Sequence, residues 1–245
     1  MQDLIAEVAR ALKNAKYTIA LTGAGISKES NVPTFRGKDG LWNNYNVMEL
    51  ATPQAFSRNP KLVWEWYTWR QGIVSKCNPN PAHIILAKWE REGLLRSVIS
   101  QNVDGLHRRA GSENVLEVHG NLWSLKCVSC NHTDRLDSPA QGIPECPECG
   151  NNLRPDVVWF GESLPHDIMG FVYRELESAD LCLVIGTSAL VQPAASFPLV
   201  VKQRGGLLVE INVEATPVSP LVDYQLRGEA GILLPKVDSQ MDQFD

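Results

Sequence analysis

Four short apolar runs, each stopping at a glycine or polar turn, set the fold open to this chain. They are YTIAL before Thr22-Gly23-Ala24-Gly25, LLRSVIS before Gln101, LCLVI before Gly186-Thr187-Ser188, and GLLVEI before Asn212. Strands apolar on both faces are what a parallel sheet covered by helices requires. Helical patterns lie between the runs: residues 2–15 place Leu4, Ile5, Val8 and Leu12 on one stripe, and PAHIILAKWEREG spans 81–93. The alternation predicts an α/β chain built on a Rossmann-like parallel sheet. Ligands of such sheets bind outside the carboxyl ends of the strands. The candidate site therefore gathers residues 23–27, 101–104 and 186–188, with Asn212 and Glu214.

Two stretches break the alternation. Residues 35–78 are rich in Trp, Asn and Pro and hold one helical pattern, PKLVWEWYTWRQGIV; residues 122–155 carry four cysteines among turn residues. The expected organisation is a large Rossmann-like domain from 1–34, 79–121 and 156–245, and a small domain made of a helical module (35–78) and a zinc-binding module (122–155). The polar tail after Pro235 is expected to fray.

A net charge of -5 over 245 residues leaves no basic footprint for nucleic acid. No run approaches the roughly 18 apolar residues of a membrane span. The start, MQDLIAEVARAL, lacks the pattern of a secretory signal. Together with the cysteine usage this favours the cytoplasm, with a mitochondrial location as the alternative. The oligomeric state is not readable.

Cys127, Cys130, Cys146 and Cys149 form C-x2-C-x15-C-x2-C, two tight thiolate turns that can close a tetrahedron around Zn²⁺. With all four positions filled by sulfur, such a metal is structural. The turn GAGIS is weaker evidence. It lets backbone N–H groups approach a phosphate, but Lys28 stands where the dinucleotide fingerprint has its third glycine, which disfavours a dehydrogenase. An ordinary tight turn is the competing reading. The following PTFRG supplies Arg36 to face a pyrophosphate and Phe35 to cover a ring. His119 would pass for a structural histidine, were it not preceded by the polar group QNVD (Gln101, Asn102, Asp104). A neutral imidazole there suits proton removal from a sugar hydroxyl near pH 7.

GAGIS with PTFRG, QNVD, LEVHG, the two CxxC pairs, GTSALVQPA and INVE stand in one order over nearly the whole chain. In that order the chain resembles the sirtuins, NAD-dependent protein lysine deacylases. The resemblance implies that NAD and an acyl-lysine protein or peptide meet in a cleft between the two domains, and that NAD is consumed. It implies one structural zinc. It assigns the NAD site to Gly23, Ala24, Gly25, Ile26, Ser27, Thr34, Phe35, Arg36 and Trp42, then to Gln101, Asn102, Val103 and Asp104. Gly186, Thr187, Ser188, Asn212, Val213, Glu214 and Ala230 complete it, and His119 is the general base. The stretch VVWFGE, with Val158, Phe160, Gly161 and Glu162, is expected to be a strand that pairs with the substrate backbone.

Tyr67 and Arg70 are three residues apart, so a helix would project them from one face. Guanidinium and phenol can together bind a carboxylate. The pair, with Ala51 as a small residue widening the pocket, resembles the sirtuin branch that removes succinyl, malonyl and glutaryl groups. The alternatives are an enzyme that is mainly a deacetylase and an NAD-dependent protein ADP-ribosyltransferase.

Overall fold

The computed structural model describes residues 2–35 and 40–244, with only the backbone of Trp42 and Phe244. The chain forms α1 (Gln2–Asn14), β1 (Thr18–Thr22), α2 (Gly25–Lys28), α3 (Val47–Leu50), α4 (Pro53–Arg58), α5 (Pro60–Val74) and α6 (Pro81–Arg91). Then come β2 (Ser97–Ser100), α7 (Leu106–Arg109), β3 (Val115–Glu117), β4 (Gly120–Cys127), β5 (Thr133–Arg135) and β6 (Leu153–Val157). It ends with α8 (His166–Ser178), β7 (Leu181–Ile185), α9 (Phe197–Gln203), β8 (Leu207–Asn212), β9 (Tyr224–Arg227) and α10 (Ala230–Met241).

Six parallel strands lie in the order β3-β2-β1-β7-β8-β9. This is the expected Rossmann-like sheet. The chain runs outward from β1 to β3, then returns to the other side of β1 for β7, β8 and β9. The β1/β7 boundary is therefore the switch point, where connections leave in opposite directions and open a crevice.

Strand alternation fills two cores. Ala20, Leu183 and Ile185 face a layer of α1, α6 and α10, whereas Ile19, Leu21, Cys182 and Val184 face α8 and α9. All ten positions of β1 and β7 are buried, which is why these runs read as continuously apolar. The edge strand β9 escaped the sequence reading because only Leu226 of its four residues is buried.

A separate antiparallel sheet, β5-β4-β6, packs against α5. Val63, Trp64 and Tyr67 meet Leu122, Leu125 and Leu153 there. Buried polar groups fix the contact: Gln71 Nε2 donates to the Leu122 carbonyl at 2.7 Å, and Trp64 Nε1 to the Leu153 carbonyl at 3.0 Å.

The tail departs from expectation. Helix α10 continues through Pro235, and Val237 and Met241 are buried in the core that α10 shares with α1 and α6. Proline removes one backbone hydrogen bond and favours a break. Tertiary contacts overrule it here: Asp238 accepts from Lys88 Nζ at 2.8 and 2.9 Å and from Trp89 Nε1 at 2.8 Å. Asp238→Ala strands the Trp89 N–H against a buried ring. It is expected to lower the unfolding free energy by about 1–3 kcal/mol, read from the midpoint of guanidinium denaturation. A change below about 0.5 kcal/mol, the size of an ordinary surface substitution, would show that the tail is not pinned.

Candidate active site

The loops after β1 and β7 touch at the switch point. Gly25 N–H donates to the Gly186 carbonyl at 2.8 Å, and Gly23 N–H to the Ile185 carbonyl at 3.0 Å. A Cβ on Gly23 would lie 2.7 Å from Thr187 Cα, and one on Gly25 would lie 2.6 Å from the Gly186 oxygen. Gly186 itself has φ +58°. Backbone-to-backbone contact thus demands these glycines before any ligand is considered.

Side chains from the next two strands brace the same contact. Gln101 Nε2 donates to Thr187 Oγ1 at 2.9 Å, and Asn212 Nδ2 to the Thr187 carbonyl at 2.8 Å. Asn102 Nδ2 lies 3.1 Å from the Gly23 carbonyl and 3.2 Å from Ser27 Oγ. Asp104 is buried and accepts from Leu106 N–H at 2.9 Å; burial raises its pKa.

A cleft of about 950 Å³ opens above these loops. Gly23, Ala24, Gly25, Thr34 and Phe35 line it, as do Gln101, Asn102, Val103 and His119. Gly186, Thr187, Ser188, Asn212 and Glu214 close the same wall. Ile26 and Ser27 are buried beneath the first loop, Asp104 beneath the second; none of the three faces the cleft. Val213 is exposed and Ala230 is buried at the start of α10, and neither lines the cleft. Arg36 and the side chain of Trp42 lie outside the described residues.

His119 sits between β3 and β4. Its Nδ1 is 2.9 Å from the Gln101 carbonyl oxygen, which can only accept, so Nδ1 carries the proton and Nε2 keeps its lone pair. Burial lowers its pKa below the usual value, against the pull of that carbonyl. The ring is neutral at pH 7 and ready to take a proton.

The opposite wall comes from α5. Tyr67 and Arg70 are both buried and both line the cleft, with Ala51 beside them. The Arg70 guanidinium lies 4.4 Å from the Phe35 ring centre and 4.9 Å from that of Trp66, stacked by cation–π contact. No carboxylate among the described residues lies within salt-bridge distance of it. Burial lowers its pKa to about 10, which leaves it charged at neutral pH. Burial lifts the Tyr67 phenol to about 12, so it keeps its proton. The sequence reading missed Trp66 and Trp159 on this wall; a buried indole N–H, which needs an acceptor, is the signal that finds Trp159.

The expected substrate-pairing strand is only partly a strand. β6 ends at Val157, and residues 158–162 form an irregular turn with Gly161 at φ +89°. Internal bonds hold the turn. Val158 N–H donates to the His119 carbonyl at 2.9 Å and Phe160 N–H to the Ala51 carbonyl at 3.0 Å. The Glu162 carboxylate takes two bonds from Arg154, at 2.6 and 2.8 Å, and one from Trp159 N–H at 2.9 Å. All of Val158, Phe160, Gly161 and Glu162 still line the cleft. The mouth also gathers five residues outside the sequence-based candidate set: Leu164, His166, Met169, Tyr173 and Leu190.

The four cysteine sulfurs lie within 4.8 Å of one another, with Cys127–Cys149 at 3.5 Å and Cys130–Cys146 at 3.6 Å. Tetrahedral zinc with bonds of about 2.3 Å needs sulfurs about 3.8 Å apart. The quartet is positioned for a structural zinc, at the end of the sheet whose strand β6 leads into residues 158–162. Metal analysis is expected to find about one zinc per chain, and Cys146→Ala to remove it and lower the melting temperature. A metal-free variant melting like the wild type would contradict a structural role.

Known proteins share this arrangement. The Sir2 family model matches residues 23–193. An NAD-dependent protein deacylase of Pyrococcus abyssi is 54% identical over 96% of this chain and 96% of its own length. A Sir2 homologue solved as its NAD complex is 50% identical, with a TM-score of 0.92 over 98% of this chain and 94% of that one. A second solved structure, Sir2Af2 bound to a myristoylated histone peptide, is 34% identical, with a TM-score of 0.83 over 100% and 98%. The span matched by the family model contains the glycine turn, the polar group, the histidine and the cysteines, and the chain belongs to the Sir2 family.

Proposed function

We propose that this chain removes acidic acyl groups (succinyl, malonyl or glutaryl) from protein lysine, with acetyl as a weaker substrate. NAD-dependent protein deacylation is what its relatives are named for. NAD supplies a ribose carbon that gives up nicotinamide and accepts the acyl oxygen. The cleft residues after β1, β2, β7 and β8 would hold it, and the buried walls keep water from that carbon. His119 Nε2 is placed to take a proton from a ribose hydroxyl. The turn 157–162 and the apolar mouth at Leu164, Tyr173 and Leu190 would seat the peptide, since exposed apolar patches at a cleft mark protein-binding surfaces. Residues 35–78 and 122–155 are the proposed small domain, and its share of the cleft is Phe35, Ala51, Trp66, Tyr67 and Arg70.

One observation carries the acyl assignment. Arg70 is a buried cation with no carboxylate in salt-bridge contact among the described residues, only the more distant charge of Asp104, beside a phenol whose proton has no acceptor among them. An uncompensated buried charge costs several kcal/mol. A carboxylate at the end of an acyl chain would offset that cost, whereas an acetyl group leaves the cation bare.

Kinetics on acetyl-, malonyl-, succinyl-, glutaryl- and myristoyl-lysine peptides of one sequence test the reading. Arg70→Met is expected to lower kcat/KM for the succinyl peptide about 10- to 100-fold, the worth of a charged hydrogen bond, and that for the acetyl peptide by less than about 3-fold. Equal losses on both would remove acyl recognition from Arg70, and a best rate on the myristoyl peptide would favour a long-chain deacylase. The pH profile tests His119. Its lowered pKa keeps the base neutral to below the ordinary histidine value, so the acid limb of kcat/KM should fall below about pH 6.5. The rate is lost as pH drops through that limb. A limb above about 6.5 would mean that another group titrates.

A further inference from the structure

We infer that Trp159 is a specificity-determining residue: its indole N–H fixes the Tyr67 hydroxyl so that the phenolic proton faces the carboxylate of the acyl group. The inference rests on the acidic-acyl reading above and adds to it the group that orients the phenol.

The bond is direct. Trp159 Nε1 lies 2.8 Å from Tyr67 Oη, and both side chains are buried. Indole nitrogen can only donate, so the phenol oxygen is the acceptor. The hydroxyl proton of a phenol prefers the ring plane and has two positions there. An N–H arriving from one side excludes the proton from that side and leaves it the other. No acceptor among the described residues takes it. Accepting a hydrogen bond also makes a hydroxyl a stronger donor. The Arg70 guanidinium lies one turn further along the same face of α5, so two donors converge on one volume of the cleft.

Trp159 is itself held from several directions. Its ring lies 5.4 Å from that of Phe56, and the Arg154 guanidinium stacks on it at 3.5 Å. Its backbone N–H donates to Glu162, whose carboxylate Arg154 grips through both nitrogens. The ring therefore cannot turn away from Tyr67 without breaking the turn at 157–162. That couples the turn proposed to seat the peptide to the two side chains proposed to read the acyl group. An acetyl group offers no carboxylate, so the orientation should matter for acidic acyl groups alone.

The test is a double-mutant cycle on Trp159→Phe and Tyr67→Phe, run at saturating NAD with acetyl- and succinyl-lysine peptides of one sequence. Each single variant should lower the succinyl-to-acetyl ratio of kcat/KM about 3- to 10-fold, as expected for one hydrogen bond, mainly through the succinyl KM. The double variant should lose no more of that ratio than Tyr67→Phe alone, because the indole acts through the hydroxyl. Equal loss on both peptides, or losses that multiply in the double variant, would give Trp159 a packing role only and overturn the inference. Arg70→Met in the same series separates the two levels. If it lowers the ratio while Trp159→Phe does not, this inference fails and the acidic-acyl reading stands; if it leaves the ratio unchanged, both fail.

Discussion

The contact between two backbone loops, Gly23–Gly25 after β1 and Gly186 after β7, is the constraint on which the site depends. A Cβ on Gly23, Gly25 or Gly186 would run into the facing backbone. Adjacent parallel strands at a switch point send their connections apart, and loops that meet across the gap need glycine at the points of contact. The meeting fixes the floor of the cleft. Gln101, Asn102 and Asn212 are then free to act as braces, each tying its own loop to that floor. What looks like a list of ligand-binding residues is first a self-supporting framework.

The polar groups in and just beneath the cleft include two sets. Asp104, Glu162 and the amides of Gln101, Asn102 and Asn212 already have protein partners. They position the site. His119 Nε2, the Arg70 guanidinium and the Tyr67 proton belong to the cleft and have no hydrogen-bond partner among the described residues. Those three groups stand on two walls: a neutral imidazole by the loops after β1 and β7, and a cation with a hydroxyl donor on α5. Groups left open inside a folded protein point to what the protein binds. Here they point to an anion on one side and a departing proton on the other.

Much of this was legible in the sequence because it is local. Continuous apolar runs gave β1, β2, β7 and β8; CxxC spacing gave the metal quartet; a three-residue step gave the shared face of Tyr67 and Arg70. What was not legible depends on contacts between distant segments. The purpose of the glycines was read as ligand access, because Gly186 stands more than 150 residues away from Gly25 in the chain. The stretch VVWFGE is expected to be a strand by resemblance alone, yet beyond Val157 Arg154 and Glu162 hold it as a turn. The polar tail after Pro235 reads as frayed until Asp238 is seen to reach Lys88 and Trp89 on α6. Trp159 lies inside a motif that was singled out, but its meaning comes from Tyr67, 92 positions earlier.

The central claim is that one cleft joins a nucleotide's ribose to the acyl group of a lysine, with His119 finishing the transfer. Mass spectrometry of the full reaction mixture, with and without a succinyl-lysine peptide, measures it most directly. The account predicts nicotinamide, unmodified lysine peptide and O-succinyl-ADP-ribose rising in equal amounts, and no nicotinamide when the peptide is withheld. Nicotinamide released without peptide, or a peptide grown heavier by an ADP-ribosyl group, would contradict it.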